Sequence, residues 1–261
     1  MTKKFNAQPN HSLIDGFNVL QAIASIDEPI GGRKLARHLD LEPTRVNRLL
    51  KTLAYMGFAR QTADRKYTAG PGMYVLAAQS LFASGFIKTA LPALEELRRF
   101  NLTVALGVLW KDTVSYLYHA PPGTPSVEAL GRIGIYPASK GGIGLALLAQ
   151  HDVDYIDGIY GLKKVAGFEN IKALKDKLAE VRKLGYVRVK VHENEERHTL
   201  AIAVGNPAHA AVGLSGWIPE SNIPELLDAL NNVAALLTSQ NQGADPELTP
   251  RPPHFAIRGS V

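Results

Sequence analysis

The stretch Leu35-Ala36-Arg37-His38-Leu39-Asp40-Leu41-Glu42-Pro43-Thr44-Arg45-Val46-Asn47-Arg48-Leu49-Leu50-Lys51-Thr52-Leu53 decides how this chain is read. Pro43 suits the first turn of a helix, where its missing N–H would have no intrahelical partner. From Val46, the apolar residues Leu49, Leu50 and Leu53 recur at i+3, i+4 and i+7, the stripe of a helix packed on a core. Off that stripe lie Thr44, Arg45, Asn47, Arg48, Lys51 and Thr52, donor-rich side chains of the types that read base edges and hold phosphates. Upstream, Leu35, Ala36 and Leu39 mark one side of a short helix whose other side carries Arg33, Lys34, Arg37 and His38. Only Asp40 to Glu42 separate the two. Such a pair, with one helix crossing the nucleic-acid backbone and the next in the major groove, is the layout of a helix-turn-helix.

The flanks complete the unit. Ser12 is expected to cap a first helix, with Asp15 at the third position of a capping box. Leu13, Phe17, Leu20 and Ala24 follow as its apolar face. Pro29, Gly31 and Gly32 break the chain before the second helix. Gly57 suits a C-terminal cap. Phe58 to Gln61 and Lys66 to Thr68 are predicted as short strands around Ala63-Asp64-Arg65, a hairpin that places Arg60, Arg65 and Lys66 as a wing along the backbone. Gly70-Pro71-Gly72 ends the module, and Met73, Leu76, Ala77 and Ser80 suit a linker helix reaching to Gly85. The expected division is an arm over 1–11, a winged helix-turn-helix over 12–70, a linker helix over 71–85, a second domain over 86–239 and an extended tail over 240–261. Base-edge contacts are expected from Arg45, Asn47 and Arg48. Phosphate contacts are expected from Thr44, Lys51, Arg60, Arg65 and Lys66, and Arg33 joins the DNA-binding set.

Charge agrees with this division. Of 261 residues, 1–85 hold eleven Lys and Arg against six Asp and Glu, whereas 86–261 hold eighteen of each, so the entire net charge of +5 sits in the first third. A basic segment on a neutral body is what a nucleic-acid-binding module joined to a second domain looks like. The absence of cysteine excludes disulfides, a cysteine nucleophile, zinc fingers and iron–sulfur clusters. No apolar run is long enough to span a membrane, and the start carries no apolar stretch after Lys3-Lys4, so a cytoplasmic protein is expected.

In the second domain a helix with Leu91, Leu94 and Leu97 is expected to end near Asn101. Strands are predicted over Thr103–Trp110, Thr113–His119, Val127–Ile133, Tyr186–Val191, Leu200–Val204 and Ala210–Ser215. Helices are predicted over Ile143–Gln150, through Ile171, Leu174, Leu178 and Val181 to Gly185, and over 221–239. The class is α+β, an antiparallel sheet flanked by helices. Tyr136-Pro137-Ala138-Ser139-Lys140-Gly141-Gly142 leads into an apolar helix. There the backbone N–H groups of Gly141 and Gly142, the Ser139 hydroxyl and the Lys140 charge could cradle a carboxylate. Arg132 is a second anion ligand in this reading. Tyr116, Tyr118 and Trp217 could line an aromatic slot, with His198 and Ser215 near it. Gly213-Leu214-Ser215-Gly216-Trp217 is not a nucleophile elbow, and Glu193, Glu195, Glu196, His192 and His198 match no metal spacing. No Walker loop or dinucleotide fingerprint occurs. No cofactor and no enzymatic activity are expected, although the residues leave open an enzyme acting on a small acid with an N-terminal docking domain, or a general nucleic-acid-binding protein.

At this point a resemblance can be stated. Ser12-Leu13, Gly16-Phe17, Val19-Leu20, Leu35-Ala36, Val46, Arg48-Leu49-Leu50, Gly57-Phe58, Tyr67 and Gly70-Pro71 together resemble the isocitrate lyase regulator (IclR) family of bacterial transcription factors. In the second domain, Arg132-Ile133-Gly134, Pro137, Gly144 and Leu147-Leu148-Ala149 resemble the family's strand-loop-helix segment. Glu195-Glu196, Ala201-Ile202-Ala203 and Leu214-Ser215 fit its later strands. The likeness covers about residues 12 to 238. It implies a winged helix, a linker helix and a GAF-like effector domain. It also implies homodimers or homotetramers, double-stranded operator DNA as partner, and control of a catabolic operon by a small organic or aromatic acid. The chain departs from the family pattern at Asp15, where Arg is usual, at Gly141, where Thr is frequent, and at Ala203-Val204-Gly205, where Ala-Pro-Val is usual.

Overall fold

The computed structural model describes residues 8–130, 136–161, 164–191 and 196–239. The chain divides into two compact units that meet at Gly85 and Phe86. The first contains α1 (His11–Ala24), α2 (Gly32–His38), α3 (Pro43–Tyr55), β1 (Ala59–Gln61), β2 (Tyr67–Ala69) and α4 (Gly72–Ala83). Val19, Ile23, Leu35, Ala36, Val46 and Leu50 form its core.

Two expectations for α1 are corrected. The cap is Asn10, whose side-chain oxygen accepts from the N–H groups of Ser12 and Leu13 at 3.1 Å each. With the helix starting two residues earlier, Asp15 is not a capping group and turns to α3. The buried stripe is also rotated: Leu13 and Phe17 are 59% and 53% exposed, while Val19 and Ile23 are sealed. Spacing alone marked two adjacent stripes as apolar, and the contact with α3, where Gly16 faces Leu49, selects between them. In α3, Pro43 takes the first turn and Glu42 caps it, accepting from Thr44 N–H at 2.9 Å and Arg45 N–H at 2.7 Å. Gly57, at φ +79°, turns the chain into β1. The wing pairs Ala59 with Ala69 and Gln61 with Tyr67, and Ile30 adds a bridge to Tyr67. Thus the segment between α1 and α2 is hydrogen-bonded to the wing at Ile30.

The second unit is built on one antiparallel sheet in the order β5-β4-β3-β8-β7-β6. Its elements are α5 (Phe86–Leu97), β3 (Thr103–Trp110), β4 (Thr113–Ala120), α6 (Ser126–Ala129), β5 (Tyr136–Pro137) and α7 (Gly142–Leu148). They continue with α8 (Val153–Tyr160), α9 (Ile171–Leu184), β6 (Val187–Lys190), β7 (Arg197–Gly205), β8 (Ala208–Trp217) and α10 (Ile223–Ser239). The strand expected over 127–133 is corrected: Ser126 to Ala129 make a helical turn after Pro125, and Leu130 only bridges to Tyr118. Residues 131–135 lie outside the described residues, and so do the tail at 240–261 and most of the arm. Helix α8 was not anticipated, although Asp152 caps it by accepting from Tyr155 N–H at 2.9 Å.

The two sheet faces differ in composition. One presents Val104, Leu106, Leu200, Ile202, Val204, Val212 and Leu214 to α5 and α10. The other presents Ala105, Ala201 and Ala211 to α7, with Gly107 and Gly213 beside them. A Cβ at Gly107 would stand 2.9 Å from Ile143, and one at Gly213 would stand 3.1 Å from it. Ile143 therefore fills the room those glycines leave, and α7 lies close on the strands.

Candidate functional site

Where α7 begins, its sheet face is left partly uncovered, and a cavity of about 430 Å3 opens there. Gly141 and Gly142 reach it from the start of α7, and Ala105 and Gly213 reach it from the sheet. Three cations line it, Lys140, Lys190 and Arg197, with no carboxylate among the described lining residues. Lys190 also has Glu196 at 3.9 Å. Thr199 on β7 and Ser215 on β8 stand opposite each other in register, their hydroxyls 2.9 Å apart. One hydroxyl hydrogen is shared between them, which leaves the other hydrogen and the spare lone pairs for a ligand. The aromatic wall is Tyr116 with Tyr136 and His119 edge-on, at 6.5 and 5.5 Å between ring centres. Burial, reinforced by Tyr136, pushes the Tyr116 hydroxyl up to about 12, so it remains a donor throughout the neutral range.

Of the residues expected here, Tyr116, Lys140, Gly141, Gly142 and Ser215 line the cavity. Arg132 lies outside the described residues. Three others are corrected. Ser139 is buried and donates to the Ala166 carbonyl at 2.6 Å, so it holds the turn before α7 instead of facing the cavity. His198 lies between Arg197 and Thr199 on β7, and strand alternation turns it to the opposite face. Trp217 is 69% exposed, beyond the last lining residue of β8.

The proposed pairing of Tyr116 with Tyr118 also fails, for a specific reason. Adjacent Leu106 and Gly107 on β3 pair with Tyr118 and Tyr116, so Leu117 is an extra residue and the alternation shifts there. Tyr118 consequently points into the α5–α10 layer and donates to Glu95 at 2.6 Å. Sequence reasoning missed His119, Tyr136, Thr199, Lys190 and Arg197. For Arg197 and Thr199 on β7, the strand's alternation opposite Ser215 was the available signal; for His119 there was none, because the extra residue Leu117 shifts the parity of β4.

On the first unit, Arg33, Thr44, Asn47, Arg48, Lys51, Arg60 and Arg65 are exposed. Arg45 is tied back to α1, its guanidinium 2.7 Å from the Asp15 carboxylate. Lys66 pairs with Asp64 at 2.8 Å across the wing turn. Hydrogen bonds from the Thr44 and Arg45 amides hold the Glu42 carboxyl below its ordinary value.

The sequence pattern of the IclR helix-turn-helix domain matches residues 12–63, and that of the bacterial transcriptional regulator IclR C-terminal domain matches residues 78–235. This chain belongs to the IclR family. It is 28% identical over 204 residues, covering 70% of this chain and 68% of the other, to the HTH-type transcriptional regulator BhcR of Paracoccus denitrificans. A solved IclR-type regulator from Silicibacter sp. TM1040 has the same fold, with a TM-score of 0.74 and 22% identity over 92% of this chain and all (100%) of that one. An IclR homologue from Microbacterium hydrocarbonoxydans, solved with 4-hydroxybenzoate, gives a TM-score of 0.61 and 17% identity over 89% and 100% of the two chains.

As a member of the IclR family, the protein is a transcriptional regulator with a DNA-binding helix-turn-helix. Among the described residues, no helix is long and apolar enough to cross a membrane, and no group of three His, Asp or Glu could hold a metal.

Proposed function

We propose that this IclR-family regulator switches its hold on operator DNA when a small organic or aromatic acid enters the cavity at the start of α7, and that it controls a catabolic operon in this way. The observation that carries the reading is the cavity's chemistry: Lys140, Lys190 and Arg197, a Thr199–Ser215 hydroxyl pair and an aromatic wall, with no carboxylate among the described lining residues. Charge-assisted hydrogen bonds of this kind suit a carboxylate, and Tyr116 with Tyr136 suits a flat ring. A structural relative bound to 4-hydroxybenzoate supports the same ligand class. The protein works in the cytoplasm without catalysing a reaction. It acts as a dimer or tetramer, so that two α3 helices meet successive turns of one face of the duplex. Ligand binding then biases one quaternary state over another.

The test joins two titrations on the full chain. Calorimetry with acetate, benzoate and 4-hydroxybenzoate measures ligand binding. Fluorescence anisotropy on DNA from immediately upstream of the protein's own gene, against scrambled DNA at matched salt, measures the output. The expected result is that one acid binds, changes the affinity for the upstream DNA and loses both effects in Thr199→Val. Sequence-selective DNA binding unaffected by every acid would overturn the effector reading.

A further inference from the structure

We propose that the DNA-contacting edge of α3 is the row Thr44, Arg48, Lys51 and Tyr55. In this arrangement Arg48 reads a base, Tyr55 contacts the nucleic-acid backbone, and Arg45 is a positioning residue that never reaches the DNA. The proposal rests on the DNA-binding reading of the first unit. At 3.6 residues per turn, these four side chains fall within an arc of about 60°. All four are exposed, Tyr55 at 93%, and the arc lies opposite the sealed Val46 and Leu50.

Three further polar residues flank that arc, Arg45 and Thr52 on one side and Asn47 on the other, and the Thr52 hydroxyl donates back to the Arg48 carbonyl at 3.0 Å. Arg45 is on the α1 side, paired with an Asp15 side chain that is only 14% exposed. Swinging Arg45 to a base would leave that carboxylate shielded from water, unpaired and facing phosphates. The loss of a shielded ion pair opposes this movement. Asn47 is on the α2 side, with its amide oxygen packed over Gly32, inside the space a Cβ would occupy. The start of the helix is engaged as well: the Glu42 carboxylate takes the Thr44 and Arg45 amides, so those N–H groups are not available to a phosphate.

Of the two guanidinium groups of α3, Arg48 therefore remains for a base edge, and its natural partner is the O6 and N7 pair of a guanine. Tyr55 stands seven residues further along, roughly 10 Å at 1.5 Å per residue. That span approaches the ~12 Å width of the major groove. With Arg48 at the floor of the groove, the Tyr55 hydroxyl meets the backbone at its rim, where an aromatic side chain this exposed gains a partner.

The experiment is selection by the full chain from a pool of duplexes with a randomised centre, followed by affinity measurements on the enriched sequence. Arg48→Ala is expected to flatten one base-pair position, with a loss of guanine preference of about tenfold or more. The double variant Asp15→Asn/Arg45→Met removes both partners and so avoids an orphaned charge. Thermal melting checks that it folds, and it is expected to retain the selected motif. Tyr55→Phe is expected to keep the motif while weakening every sequence by about threefold or more. A double variant that flattens a position while Arg48→Ala keeps it would overturn the assignment of the base reader, and wild-type affinity in Tyr55→Phe would remove Tyr55 from the edge. If the unmodified chain enriches no motif at all, the DNA-binding reading itself fails, a result separate from the behaviour of any variant.

Discussion

The two faces of the six-stranded sheet bury different things. Toward α5 and α10 the strands offer Val, Leu and Ile, and the helices answer with Leu94, Leu97, Leu226, Leu230, Val233 and Leu237. Each large side chain sealed there contributes about 1.5–3 kcal/mol. Toward α7 the strands offer alanine and glycine, which bury little area of their own but let the helix approach the backbone. Bulky residues keep the first pair of layers at side-chain distance over the length of α10. Small residues let the shorter α7 press close, and beyond its start the sheet keeps an open, polar cavity. Both faces are sealed by a hydrophobic core, but only the α7 face leaves a polar cavity.

The comparison can be broken most severely at Gly144. A Cβ there would collide with the backbone of Ala138, which has no side-chain freedom with which to yield. Gly144→Val is expected to cost roughly 4 kcal/mol or more and to eliminate a cooperative thermal transition. On the covered face, Leu230→Ala should cost about 2–5 kcal/mol in denaturant melts while acid affinity, corrected for the folded fraction, stays the same. A parallel fall in intrinsic affinity would show that the faces are not independent. On the open face the pattern should reverse. Ser215→Ala removes half of the hydroxyl pair, and acid affinity is expected to drop about tenfold with a stability change within about 0.5 kcal/mol.

The smallest effect concerns pH. Burial alone would raise the Glu95 carboxyl, but hydrogen bonds from Tyr118 and Ser126 and the Arg98 guanidinium hold it below its ordinary value of 4.5. A depressed carboxylate stabilises the fold above the unfolded value, and that contribution is lost as the pH falls through the folded one. The melting-temperature gap between the wild type and Glu95→Gln should therefore be widest near neutrality and narrow below about pH 4.5. A gap independent of pH would assign the effect to geometry rather than charge.

The first unit was largely legible before its structure, because its signals are local. Pro43, the Val46–Leu50 spacing and Gly57 each act within a few residues, and α3 runs from Pro43 to Tyr55 accordingly. Errors arose where a residue had a choice of neighbours. Asp15 had the sequence position of a capping group, but Asn10 took the cap and Asp15 paired with Arg45. The cavity was legible on its loop side, at Lys140 to Gly142, because those residues are contiguous. Its strand side depended on parity across β4, β7 and β8, and one extra residue at Leu117 separated Tyr118 from Tyr116.

By itself, the sequence determined the helices and strands of the first unit, most of those of the second, the basic first unit, the glycine-rich entry to α7 and the family. All of these follow from spacing, local backbone preference and net charge, which the chain carries without reference to its distant parts. Only the tertiary structure decided which cations of the first unit are already paired, which aromatic rings share a face and where the sheet is left uncovered. Those outcomes depend on strand register and on competition among groups far apart in the chain, and a single bulge or a single ion pair is enough to reverse them.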